Sequence, residues 1–522
     1  MRPFALVNSS WLGRSAVGIA LTVLLAPVPP AEAASQSPGG PSDETAGYYF
    51  LMGRYLENEG RIDEAIAALR KAIGMAPTAA EPHAELAGLY ARQNLAGEAI
   101  DSARRALARD PDNVEANRIL GTIYAALGEA GQPVRPGEDP ATYRRVAIEA
   151  LEKSRKAGAF DANAELMLGR LYAQSEEPAK AIGPLRRVVE DYPGYPDAAL
   201  LLADAYAATG QAAQAVETLE QAIAVNPGFL RGRLRLAELY EAQRRYREAA
   251  DTYAAARAAN PRLDFTSAQA AALINAGHSD EARRMLVAAL ARRAAAEPGH
   301  LYLLGQAERR LGNAAAAAEA AARLQQVAPG DVRAVYLTAQ LATDAGRHDE
   351  AIHAYEKLIA SAPEDTSFVY GYAHALDKAG RPADAERALR GVLQRDPRDA
   401  AALNALGYMF AERGERLEEA VALVQQALEI EPGNPSFLDS LGWAYFRQGR
   451  FDRADEPLTQ AAAALPRTSV VQDHLGDLRL QQKRLPEAIA AWERALDGDG
   501  EEIDRSAIEK KIRDAQQRLG KE

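Results

Sequence analysis

A proline returns every 34 residues through most of this 522-residue chain. Pro77 and Pro111 are 34 apart, and Pro193, Pro227 and Pro261 keep the same step, as do Pro329, Pro363 and Pro397. Pro432 falls one residue late, and Pro466 returns to the 34-residue step. Length alone suggests roughly three or four globular domains. A fixed period of this size instead means a stack of small supersecondary units, each resting on its neighbours.

The interior of the period repeats as well. Counting from Pro196, the seventh, eighth, eleventh, fifteenth, twentieth, twenty-fourth, twenty-seventh and thirty-second places are Leu202, Ala203, Tyr206, Gly210, Ala215, Leu219, Ala222 and Pro227. From Pro435 they are Leu441, Gly442, Tyr445, Gly449, Ala454, Leu458, Ala461 and Pro466. From Ala46 they are Met52, Gly53, Leu56, Gly60, Ala65, Leu69, Ala72 and Pro77. Small residues at the eighth and twentieth places let two helices, A and B, approach closely. The bulky residue at the eleventh fills the space between them. Glycine at the fifteenth takes the left-handed conformation that ends helix A, and the acidic residues after it favour the start of helix B. The closing proline stops helix B.

This pattern resembles the tetratricopeptide repeat family, whose period is 34 residues. The resemblance covers nearly all of residues 46–500 as about thirteen repeats. It implies an all-α fold, a right-handed α-solenoid superhelix of helix pairs. Two repeats are irregular. The one from Val114 carries an insertion near 129–141 (EAGQPVRPGEDPA), and its second helix resumes near Thr142. The one from Leu263 keeps Gly277, Ala282 and Leu286 but lacks its closing proline. Residues 501–522 are expected to form a capping helix and tail, with Ile503, Ile508, Ile512 and Leu519 on one side to cover the last apolar face.

The N-terminus carries a different signal. Arg2 and Arg14 precede the short apolar stretch Ser15 to Ala26, and Pro27 to Pro30 interrupt it before Ala31-Glu32-Ala33. This is the form of a secretory signal peptide, residues 1–33, cut after Ala33. The apolar stretch is too short to span roughly 30 Å as a helix. Residues 34–45, rich in Ser, Gly and Pro, are expected to be a flexible linker. A periplasmic or secreted location follows as an expectation, with membrane association only through partners or an uncleaved signal. The chain has no cysteine, which removes disulfides, thiolate metal sites and a lipid-anchor cysteine together. Its net charge of -12 and the lack of a long basic run argue against nucleic acid as a partner.

In tetratricopeptide proteins helix A lines the concave surface, and places 2, 5, 9 and 12 of each repeat touch ligand. The resemblance therefore implies a groove. Its fifth places are Tyr302, Tyr336 and Tyr370, an aromatic ladder at 34-residue spacing, followed by Asn404 and Asp439. Its ninth places are Gln306, Gln340, His374, Tyr408 and Trp443, with Phe446 at a twelfth. Wide aromatic faces with a polar handle suit an adaptable peptide site.

Other chemistry finds no footing in the sequence. There is no Walker loop, GxSxG or HExxH, and His348 and His353 lie five apart, off one helix face. Asp497 to Glu501 begins like a calcium loop, but Glu502 stands where glycine is needed. No metal site, cofactor or small-molecule ligand is read. With repeats occupying residues 46–500, no room remains for a catalytic domain. The expectation is a non-enzymatic scaffold or adaptor in the cell envelope that binds a protein or peptide.

The run Leu403 to Tyr408, Arg416 to Ala420, Leu438 to Trp443 and His474 to Asp477 resembles the C-terminal part of Gram-negative envelope tetratricopeptide lipoproteins. Some of these deliver substrates to a carboxyl-terminal processing protease. They carry a lipidated cysteine after the signal peptide, and this chain has none. An assembly factor for envelope polysaccharide or pilus secretion is the other class that such an array would serve.

Overall fold

The computed structural model describes residues 45–130, 140–157, 160–292, 297–498 and 503–520. The expected leader, all but the last residue of the expected linker, and most of the insertion lie outside these residues.

The described residues form twenty-seven α-helices. The first repeats pair α1 (Ala46–Asn58) with α2 (Ile62–Met75), α3 (Glu81–Arg92) with α4 (Ala96–Leu107), and α5 (Val114–Ala130) with α6 (Pro140–Ala157). Next come α7 (Ala162–Gln174) with α8 (Pro178–Asp191), α9 (Pro196–Ala208) with α10 (Ala212–Val225), and α11 (Leu230–Ala242) with α12 (Tyr246–Ala259). The series continues with α13 (Thr266–Asn275) and α14 (Ser279–Ala291), α15 (Pro298–Arg310) and α16 (Ala314–Val327), and α17 (Val332–Asp344) and α18 (His348–Ser361). It ends with α19 (Ser367–Lys378) and α20 (Pro382–Arg395), α21 (Ala400–Arg413) and α22 (Leu417–Ile430), α23 (Pro435–Arg447) and α24 (Phe451–Ala464), and α25 (Ser469–Gln481) and α26 (Leu485–Asp497). A single helix, α27 (Arg505–Leu519), follows. Two compact units are present, one ending at Leu239 and one running from Tyr240 to the C-terminus. No helix among the described residues is long and apolar enough to cross a membrane.

Local chemistry sets the helix ends. Thr45, Asp161, Asp331, Asp399, Asn434 and Asp504 each accept a backbone N–H from the first turn of the helix that follows, which satisfies donors left over at a helix start. Thr45 thus belongs to α1 rather than to the preceding linker. At the fifteenth place Gly60, Gly210, Gly346 and Gly449 have φ between +70° and +78°. Asn94, Glu176, Arg244 and Lys483 adopt the same left-handed turn with side chains attached. The late Pro432 also has its cause here: the turn between α21 and α22 uses both Gly414 (φ 69°) and Arg416 (φ 46°), and so takes up one more residue.

Within a pair, the backbone of helix A meets one side chain of helix B. A Cβ built on Gly53 would lie 2.8 Å from Leu69 Cγ, one on Gly169 2.4 Å from Leu185 Cγ, and one on Gly442 2.5 Å from Leu458 Cγ. All three leucines are fully buried, each stabilising its pair by about 1.5–3 kcal/mol. Between pairs the buried faces run together, and one cluster extends from Ala339 through Tyr355, Phe368 and Phe410 to Ala491. In the C-terminal unit the stack curls back on itself. Arg467 Nε donates to the carbonyl of Gly277, 190 residues away, at 3.0 Å, and Arg244 pairs with Glu431 at 3.6 Å.

The cap differs in detail from the sequence expectation. Ile508, Ile512 and Ala515 of α27 bury against Leu485, Trp492 and Ala495 of α26, and Ile503 packs beside them. Leu519 is exposed; the stripe ends one turn earlier, where Ala515 allows close approach.

The turn geometry generates a paired prediction. A Cβ on Gly346 meets nothing within 4 Å, so Gly346→Ala costs only backbone strain, about 1 kcal/mol. Lys483→Gly relieves the same strain at φ 62°. Thermal melts are expected to shift down for the first and up for the second; shifts of the same sign contradict the assignment.

Candidate protein-binding groove

The candidate residues lie on consecutive A helices of the C-terminal unit: α15, α17, α19, α21 and α23. The structure joins several of them directly. Gln306 Nε2 donates to the hydroxyl of Tyr302 at 3.0 Å and to Gln340 Oε1 at 2.7 Å, so a ninth-place amide links two neighbouring repeats. Tyr302 is half-buried, and burial pushes its hydroxyl up to about 12. Arg333 lies 6.0 Å over its ring, itself held by Asp331 at 2.6 Å.

Tyr336 packs at 5.6 Å against Phe368 and edge-on at 6.2 Å to Tyr355, and burial raises its pKa. Tyr370 donates its hydroxyl to the Asp399 carboxylate at 2.7 Å. The three tyrosines are therefore half-buried rings locked by partners at one end, which makes them rigid contact surfaces with little rotamer entropy left to lose on binding. His374 and Asn404 are also half-buried. Asn404 Oδ1 is buried without a hydrogen-bond partner.

The C-terminal end of the set is built differently. Trp443 is 9% exposed and Asp439 5%, so both serve inside the stack. Trp443 lies flat on His474 at 4.0 Å and on Phe446 at 4.8 Å, and its indole N–H donates to Glu412. Asp439 holds His474 Nδ1 at 3.0 Å. Tyr408 and Phe446 remain half-buried beside this layer, with Tyr408 6.4 Å from the His474 ring.

Sequence reasoning passed over His474, because it falls at the sixth place of its repeat rather than at a ligand place. Its signal was an acidic residue 35 positions earlier, one repeat plus one residue. Burial disfavours the imidazolium, but the charge of Asp439 and its hydrogen bond outweigh that and raise the His474 pKa. Lys511 of the cap was also passed over. It bridges Asp473 at 2.8 Å and Asp477 at 2.7 Å, tying α27 to the final A helix.

Models of the tetratricopeptide repeat match residues 50–131, 144–407 and 413–478 in overlapping segments. The chain belongs to the tetratricopeptide repeat family. Its architecture is the all-α superhelical repeat array of that family, a class of protein–protein interaction scaffolds that are in general non-catalytic. One curated relative, from Pseudomonas aeruginosa and described as TPR repeat-containing protein PA4667, is 44% identical over 78 residues. That stretch is 15% of this chain and 13% of the relative. Among solved structures, yeast Tom70 is 14% identical with a TM-score of 0.37, covering 91% of this chain and 96% of that one. A tetratricopeptide repeat protein from Parabacteroides merdae is 17% identical with a TM-score of 0.37, covering 48% of this chain and 97% of that one.

The buried pair generates a pH prediction. A folded-state pKa raised above the unfolded value stabilises at low pH, and that contribution fades as pH rises through the folded value. His474 is expected to titrate above the usual histidine range by NMR. Asp439→Asn leaves burial dominant and moves it below that range. The stability gap between the two proteins is expected to be larger at pH 6 than at pH 8.5; a gap independent of pH contradicts the pairing.

Proposed function

We propose that this chain is a cell-envelope scaffold that holds an extended stretch of another protein along the A helices from α15 to α23. One observation carries the reading. Tyr302, Tyr336 and Tyr370 recur at one place of three successive repeats, and Gln306 and Gln340 of the first two are bonded to each other. An extended peptide meets a periodic surface with periodic contacts, so equal spacing suits a segment lying along the stack. The rigid, half-buried rings supply apolar contact area. Asn404, Gln306, Gln340 and His374 supply polar groups for a peptide backbone. Tyr408 and Phe446 extend the surface, and the Asp439–His474–Trp443 layer stiffens it from behind.

The envelope location rests on the sequence at residues 1–33. N-terminal sequencing of the protein from cell envelopes is expected to begin at Ala34; a chain that retains Met1 contradicts the cleavage, and absence of the protein from the envelope fraction contradicts the location. Within the envelope, delivery of substrates to a processing protease is the more specific role. It is supported by the likeness of the repeats from Leu403 to Asp477 to envelope tetratricopeptide proteins.

The groove is tested by photocrosslinking in intact envelopes from position 340, with and without Tyr302→Ala, Tyr336→Ala and Tyr370→Ala combined. Capture of a discrete partner is expected to fall at least tenfold in the folded triple variant, the scale of about 1.4 kcal/mol or more of lost contact. Equal capture by a triple variant with unchanged helical signal rules the tyrosines out as the contact surface.

A further inference from the structure

We propose a divalent metal site, best suited to Zn²⁺, formed by Asp264, Glu297 and His300 in the C-terminal unit. Among the described residues these three alone form a cluster of potential ligands with donor atoms all within 4.8 Å of one another. Asp264 lies just before α13, and Glu297 and His300 open α15. The site thus spans the repeat that lost its closing proline, joining the start of its A helix to the start of the next. The ladder of tyrosines begins two residues further on, at Tyr302.

His300 is the observation that points to a ligand. It is 0% exposed, and neither ring nitrogen has a hydrogen-bond partner. Both nitrogens nonetheless face carboxylates: Nε2 is 3.9 Å from Asp264 Oδ2, and Nδ1 is 3.7 Å from Glu297 Oε2. A neutral imidazole has one N–H and one lone pair. Whichever tautomer is present, the nitrogen that keeps its lone pair lies within 4 Å of a carboxylate oxygen, and a cation shared by one ring nitrogen and both carboxylates removes the repulsion. The other Asp264 oxygen, Oδ1, already accepts the N–H of Thr266 at 2.9 Å, which fixes the orientation of Oδ2.

The donor set fits the ion. One imidazole nitrogen and two carboxylate oxygens are ordinary Zn²⁺ ligands at about 2.0–2.2 Å. In tetrahedral geometry such ligands stand about 3.4 Å apart. The two carboxylates are partly exposed, at 33% and 41%, and close the remaining distance, up to about 1.4 Å, by side-chain rotation while His300 stays fixed. Water completes the coordination. The ion would staple α13 to α15 in place of the helix stop that the repeat lacks. Softer thiolate-seeking ions are disfavoured, since the chain has no cysteine.

The test uses the untagged full chain, stripped with chelator and then titrated with ZnSO₄. One zinc per chain is expected by elemental analysis after gel filtration, with a rise in melting temperature. Asp264→Asn and Glu297→Gln keep shape and polarity while removing a charged ligand. Each is expected to weaken zinc binding at least tenfold and to abolish the rise in melting temperature. His300→Ala is not relied on, because that side chain is fully buried. No zinc retained by the wild-type chain overturns the proposal. Zinc retained equally by both carboxylate variants also overturns it.

Discussion

The array depends on a glycine or alanine at the eighth place of helix A, which lets its backbone lie against a neighbour, in several repeats the bulky twenty-fourth place of helix B. At Gly442 and Leu458 the space that a Cβ would need is already filled at 2.5 Å. In the last repeat Trp492 replaces the leucine, and Gly476 accepts it with a would-be Cβ contact of 2.4 Å. Trp492 is consequently fully buried and reaches Asp477 with its indole N–H. Because this contact fixes the distance between A and B helices, it also fixes where the outer face of each A helix points. The candidate groove is a consequence of small residues behind it.

Much of the fold was legible because the period carries the physics. A glycine at the fifteenth place, an acidic first turn and a closing proline each state a backbone requirement, and these marked helix pairs without any long-range information. Four repeats made the turn without glycine, at Asn94, Glu176, Arg244 and Lys483. There the remaining places of the repeat outvoted a local cost. The cap was legible as an amphipathic helix, but the choice between Leu519 and Ala515 depended on how closely α27 approaches α26, which periodicity does not encode.

The candidate surface was less legible, for a physical reason. A place in the repeat states which way a side chain leaves its helix, but not what the neighbouring repeat puts against it. Tyr302 and Trp443 occupy ligand places by the same rule. Tyr302 keeps part of its ring open, whereas His474 and Phe446 both stack on Trp443. The Asp264, Glu297 and His300 cluster escaped sequence reading because its members are 33 and 3 residues apart and belong to different repeats. Only the stacking of α13 beside α15 brings them together.

The most direct measurement of the central claim uses the lack of cysteine in this chain. Gln306→Cys, Gln340→Cys and His374→Cys, made one at a time, each place a single thiol at the same site of three successive repeats. Crosslinking each to the captured partner and sequencing the linked peptides gives the path of the bound segment. A segment lying along the stack predicts three attachment points in monotonic order on one contiguous stretch of the partner. Attachment points scattered over the partner, or equal yields from thiols on the B helices, contradict a groove that holds an extended chain.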